Sequence, residues 1–156
     1  MGGHFRYTKW DPVLIISQIV CLQALYYVTL GVCLVFLNML TGGLLSLDSI
    51  FNFEVLNLSE GHGRVVAIAF VLNAGFSALS LWWVVQRTKL CLDFSCTTLG
   101  YHLLFCWLHG GRAPSSAAWW LVQLACLSLA CVCGEFLCMR TELAAIPVNL
   151  GGRADL

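Results

Sequence analysis

An all-α, four-helix transmembrane bundle is the fold class that the sequence predicts, and three observations predict it. Hydrophobic residues make up 60% of the 156-residue chain and charged residues 10%, against about 25% charged in an ordinary soluble domain. A soluble fold needs a charged exterior, and 8 basic plus 8 acidic side chains are too few to furnish one. The apolar residues are also gathered into four runs, and a hydrocarbon core about 30 Å thick asks for roughly 20 apolar residues per helix. None of the runs carries the wide polar stripe of a soluble amphipathic helix. Residues 1–156 therefore read as a single integral membrane domain.

The first run, Val13 to Leu40, carries no charge. Trp10-Asp11-Pro12 precedes it, with an acid at the helix start and a proline in or before the first turn, and Thr41-Gly42-Gly43 stops it. It is far longer than the apolar core of a secretory signal and ends without an Ala-x-Ala site, so it is expected to stay as an anchor. The second run, Val65 to Val85, lies uncharged between Arg64 and Gln86. The third, Phe94 to about His109, is the shortest and most polar, with His102 at its middle. Gly110-Gly111 and Pro114 break the chain after it. The fourth, Trp119 to Met139, is interrupted by Glu135 alone. Connections of a few residues after the second and third runs predict antiparallel packing of those neighbours. Ala74 and Ala78, then Cys126, Ala130 and Gly134, offer small side chains at helical spacing for close helix approach. Trp10, Trp82 and Trp83 mark one membrane interface, and Trp107, Trp119 and Trp120 the other.

Orientation follows from the basic residues. Arg6, Lys9, Arg87, Lys89, Arg140 and Arg153 fall on one side, and Arg64 and Arg112 on the other. Positive charge is retained in the cytosol, so both termini are expected there. The opposite side then receives the loop with Asp48, Glu54 and Glu60, and its sequon Asn57-Leu58-Ser59 is a candidate glycosylation acceptor, although its closeness to the second run disfavours use. Cys21, Cys33, Cys96, Cys106, Cys126, Cys131 and Cys133 lie inside the apolar runs and no two of the nine cysteines form a C-x-x-C pair, so these seven read as small packing residues. Cys91 and Cys138 fall near a membrane surface, where acylation is open to them. Arg6 stands where a myristoylation site needs Ser or Thr, and the last residues are not a prenylation box.

The polar residues inside the runs carry the functional information. Asp93, Glu135 and Gln18 are each expected at a shallow depth under the cytosolic surface, facing the bundle. They read either as interfacial carboxylates paired with Lys89, Arg87 or Arg140, as the floor of a cytosol-facing groove for a partner, or as part of a proton pathway. His102 is expected to hydrogen-bond across helices rather than to bind metal. No Gly-rich phosphate loop, metal-ligand spacing or nucleophile–base pair is present, so no catalytic residue, metal or cofactor is assigned. A net charge of zero gives no pull toward nucleic acid.

These residues together resemble the Sys family of small Golgi membrane proteins along nearly the whole chain. The likeness rests on Trp10-Asp11-Pro12, Ile16-Ser17-Gln18-Ile19-Val20, Cys91-Leu92-Asp93-Phe94, His102-Leu103-Leu104, Cys106-Trp107 and Trp119-Trp120-Leu121-Val122-Gln123. Its strongest block is Gly134-Glu135-Phe136-Leu137-Cys138-Met139-Arg140-Thr141-Glu142-Leu143, followed by Ile146-Pro147. The loop from Thr41 to Gly63 and the tail after Val148 add little. The resemblance implies a four-span protein of the Golgi and trans-Golgi network with no enzymatic activity. It also implies a receptor role for an Arf-related small GTPase whose N-terminus is acetylated, in vesicle traffic and protein sorting. Trp10, Asp11, Asp93, Glu135, Arg140 and Glu142 are the candidate partner-binding residues, because the polar layer and the strongest blocks of likeness coincide. A small proton-coupled transporter using Asp93, Glu135 and His102 is the alternative. A thiol oxidoreductase is disfavoured by the missing C-x-x-C.

Overall fold

A computed structural model describes residues 11–145, all helix, turn or coil with no strand among them. Four long helices dominate: α1 (Pro12–Thr41), α3 (Gly61–Val84), α4 (Cys91–Gly110) and α5 (Ala117–Ala144), with a one-turn helix α2 (Asp48–Phe51) in the first loop. Short 3₁₀ turns at Phe53–Val55 and Thr88–Leu90 complete the described elements. Three helices, α1, α3 and α5, are long and apolar enough to cross a membrane. Helix α4 has 20 residues, about 30 Å at 1.5 Å per residue. Asp93, Ser95, Thr97, Thr98 and His102 leave it less apolar than the other three.

The helix ends follow local chemistry. Asp11 caps α1 by accepting a 3.2 Å hydrogen bond from the Val13 amide, Pro12 occupies the first turn, and Gly42 closes the helix at φ 69°. Ser116 caps α5 by accepting from the Trp119 amide, and Gly111 ends α4 at φ 66°. Both C-terminal glycines occupy the left-handed region that a side chain resists.

Packing runs in the order α1–α3–α5–α4 around the bundle. Helices α3 and α5 make the most extensive contact and run parallel. Gly134 meets Ala78 and Leu81 at one level, and Trp82 meets Thr141 further along both chains. A Cβ at Gly134 would come within 3.1 Å of Leu81 Cδ1 and 3.8 Å of the Ala78 carbonyl, so the small residues do bring these two helices close. Helix α4 runs antiparallel to α5, as the contacts Cys91–Cys138 and His102–Trp119 show. The expected antiparallel packing of α3 with α4 holds in direction and is corrected in adjacency: their main contacts are with α1 and α5, and they sit across the diagonal. The small residues on α3 select α5, and a short connection fixes direction but not adjacency.

The surface is apolar and part of the interior is polar. Val28, Val32, Phe36 and Met39 of α1 and Leu121 and Val132 of α5 point outward, while Asn73, His102 and Gln123 are fully buried. That distribution inverts a soluble fold and suits lipid as the surrounding solvent. Two apolar clusters flank the polar middle. One joins Leu30, Leu34, Phe53, Leu56, Phe70 and Trp119, and the other joins Leu22, Leu81, Val85, Cys91, Phe94 and Cys138. Trp119 is 1% exposed, which corrects its assignment to an interfacial belt. It stacks on His102 with ring centroids 6.2 Å apart, whereas Trp83, Trp107 and Trp120 are exposed.

Candidate partner-docking face

At one end of the bundle α1 and α4 begin where α3 and α5 finish. The Gln18 side-chain amide donates to the Val84 carbonyl at 3.1 Å, satisfying a backbone group that the end of α3 leaves free. The Trp82 indole donates to Thr141 Oγ1 at 2.7 Å. Glu142 accepts from the Thr88 amide at 3.1 Å and from Thr88 Oγ1 at 2.9 Å, tying the α3–α4 connection to the last turn of α5. Charge-assisted bonds of this kind are the stronger sort, so the connection is held in one shape. Arg140 lays its guanidinium 5.0 Å from the centre of the Phe136 ring and remains exposed.

The structure distributes the sequence-predicted residues unevenly. Glu142 and Arg140 lie together on the last turns of α5, and Glu142 is the organising acid. Glu135 is half-buried and accepts a 3.4 Å hydrogen bond from Cys131 Sγ on its own helix. Asp93 is exposed on the first turn of α4, which corrects the expectation that it faces the bundle. Its backbone carbonyl accepts from Thr97. The expected pairing of Asp93 or Glu135 with Lys89, Arg87 or Arg140 is not among the ion pairs of the described residues, which are His109–Asp48 and Arg112–Glu54. Asp11 serves as a helix cap, and Trp10 lies outside the described residues. Cys91 and Cys138 are fully buried with their sulfurs 3.6 Å apart, so neither stands at the surface where acylation was open to it.

Sequence reasoning missed Trp82, Thr88 and Thr141 as the partners that shape this face. A buried or interfacial indole seeks an acceptor for its N–H, and that is the one signal that pointed toward Trp82. Thr88 and Thr141 carry no such mark.

The opposite end is covered by the first loop. His109 Nε2 lies 3.1 Å from Asp48 Oδ1, Arg112 pairs with Glu54, and the Arg112 guanidinium sits 5.6 Å from the Phe53 ring centre. Phe53 and Leu56 are buried beneath. Asn57 is exposed, its Oδ1 accepting from the Ser59 amide at 3.2 Å. Between the two ends, His102 is enclosed by Tyr26, Tyr27, Phe70 and Trp119. It shares a 3.3 Å hydrogen bond with the Tyr27 hydroxyl across helices, the role expected of it. Among the described residues no group of three His, Cys, Asp or Glu is placed to hold a metal ion, and all nine cysteines are free.

An all-helical chain with several membrane-length apolar helices, a polar middle and lipid-suited flanks is a multi-pass integral membrane protein. Comparison with known proteins narrows this class. Residues 5–148 match the SYS1 family, described as "integral membrane protein S linking to the trans Golgi network". The chain is 45% identical over 151 residues to a Protein SYS1 homolog of Nematostella vectensis, covering 97% of this chain and 96% of that one. It is 38% identical to the homolog of Dictyostelium discoideum, covering 97% of this chain and 65% of that protein. Protein SYS1 of Saccharomyces cerevisiae is 26% identical over 121 residues, which cover 77% of this chain and 59% of the yeast protein. No solved structure matches. The chain belongs to the SYS1 family and is an integral membrane protein of the trans-Golgi network.

Proposed function

We propose that this protein is a receptor on the trans-Golgi membrane that recruits an Arf-related small GTPase with an acetylated N-terminus, and so supports vesicle trafficking and protein sorting. In this reading all four long helices span the bilayer, over about residues 13–40, 65–85, 94–109 and 119–139, with both termini cytosolic. The observation that carries it is the convergence of Gln18, Trp82, Thr88, Thr141 and Glu142 into one braced end of the bundle. That end coincides with the strongest block of family likeness and holds Arg87, Lys89 and Arg140. An acylated or amphipathic N-terminus alone gives marginal membrane binding, so a protein surface that adds a second contact confers organelle specificity. Exposed Arg140 and Asp93 offer charge at that surface, and the Thr88–Glu142 brace holds the backbone between them.

The test is capture of the detergent-solubilised protein by Arf-related GTPase loaded with GTP or GDP. Retention in at least one nucleotide state is expected. A loss of tenfold or more is expected for Arg140→Glu combined with Asp93→Asn. Capture that survives this pair, together with Glu135→Gln, would remove the proposed face. The transporter alternative gains no support from the site. His102 has Tyr27 and Cys106 as its polar neighbours, and among the described residues no carboxylate is hydrogen-bonded to it.

A further inference from the structure

A half-open cavity lies between the helices at mid-depth, and all four long helices contribute to it, including Leu22 and Tyr26 of α1, Ala74 of α3, and Gln123 and Cys126 of α5. It offers about 50 Å³ in which the centre of a water molecule can sit, enough for more than one water. No charged side chain lines it, but five Ser, Thr or Gln side chains do: Ser77, Ser80, Ser95, Thr98 and Gln123. Three of these hydroxyls are committed to their own helix. Ser77, Ser80 and Thr98 donate to the carbonyls of Asn73, Phe76 and Phe94. Ser95 and Gln123 behave differently. Ser95 Oγ and Gln123 Nε2 are buried with no hydrogen-bond partner, and their residues are 7% and 1% exposed.

A buried polar group without a partner costs about 1–3 kcal/mol, and within a membrane no bulk water offsets it. Such groups around a cavity large enough for water are normally bridged by it. The contacts along α4 and α5 put Ser95 near the Cys91–Cys138 end and Gln123 near the His102–Trp119 end. One rigid polar group cannot serve both. A short file of small molecules can.

We propose that this cavity is a hydration site inside the membrane bundle, holding a small cluster of water that accepts hydrogen bonds from Ser95 and Gln123. The assignment distinguishes one cysteine from the rest. Cys126 lines the cavity and is half-buried, so water and a small aqueous reagent in the cavity reach its sulfur. Cys33 is buried in the apolar cluster around Leu30 and Leu34 and has no such access.

The experiment uses two full-length variants in nanodiscs, one retaining only Cys126 and the other only Cys33, with the remaining cysteines changed to Ala. Each is treated with the small aqueous reagent aminoethyl methanethiosulfonate and followed by intact mass. Cys126 is expected to react at least tenfold faster than Cys33. Ala74→Leu, which fills the cavity, is expected to bring the Cys126 rate down toward that of Cys33 while the protein stays monodisperse. Stability supplies a readout that does not depend on labelling. With water present, Ser95→Ala and Gln123→Leu lower or preserve the melting temperature. In a dry or lipid-filled cavity they raise it, because an unpaired polar group has been removed. Equal labelling rates, or a higher melting temperature in both variants, would overturn the proposal.

Discussion

The closest approach between the first loop and the bundle makes Gly63→Ala the sharpest perturbation available. An ideal Cβ at Gly63 would lie 2.1 Å from the Asn57 carbonyl oxygen, 2.7 Å from its carbon and 2.8 Å from its nitrogen. These are backbone atoms, so no side-chain rotation relieves the clash, and the segment carrying Phe53 and Leu56 must lift from the core. Two residues earlier, a Cβ at Gly61 would meet nothing within 4 Å. The two glycines share the first turn of α3, so the same substitution gains about the same helical propensity at each, up to about 1 kcal/mol. Overpacking typically costs about 1–3 kcal/mol, and displacement of buried Phe53 and Leu56 adds to it. Gly63→Ala is therefore expected to lose about 1–3 kcal/mol net, or roughly 2–12 °C of melting temperature for a chain of this size. Gly61→Ala is expected to be unchanged or slightly higher. Thermal unfolding in detergent, read by a thiol-reactive dye as the buried cysteines emerge, measures both. Equal melting temperatures for the two variants would refute the docked arrangement of the loop.

Other expectations follow from the same contacts. Trp119→Ala removes a buried ring stacked on His102 and is expected to cost about 3–5 kcal/mol, lowering the melting temperature by more than Gly63→Ala does in the same assay. Glu142→Gln and Thr88→Val act on one brace, so their effects on GTPase capture are expected to be non-additive; strictly additive losses would separate the two residues. Cys91 and Cys138 are expected to stay unlabelled by maleimide in native membranes and to label after denaturation, with no acyl group released by hydroxylamine. Asn57 lies four residues before the start of α3, so glycosidase treatment of the cellular protein is expected to leave its gel mobility unchanged.

How far the sequence could be read depended on which physical signal each feature leaves. Asp11, Pro12 and Gly42 announce the ends of α1 because caps are local chemistry, and the structure uses each in that role. That Ala78 and Gly134 serve close helix approach was legible in their spacing, although the α3–α5 pairing that they form was not. The outward direction of Asp93 and the inward direction of Trp119 were not. A soluble helix shows its buried face as an apolar stripe, but a lipid-facing helix is apolar all round, and that signal vanishes. The polar residues then become the markers of the interior. Asn73, His102 and Gln123 keep to that rule, while Asp93, on the first turn of its helix, can reach the headgroup region instead. The diagonal placement of α3 and α4 left no trace, because a short connection constrains distance at one end only.

The proposed receptor role requires the braced end, with Thr88 and Glu142, to face the cytosol. Single cysteines introduced as Thr88→Cys and Ser115→Cys into a cysteine-free protein, in sealed right-side-out Golgi vesicles, test this most directly. A membrane-impermeant maleimide is expected to label the Thr88→Cys variant in intact vesicles and the Ser115→Cys variant only after permeabilisation. The reverse pattern, or labelling of both positions from one side, would contradict the proposed receptor face.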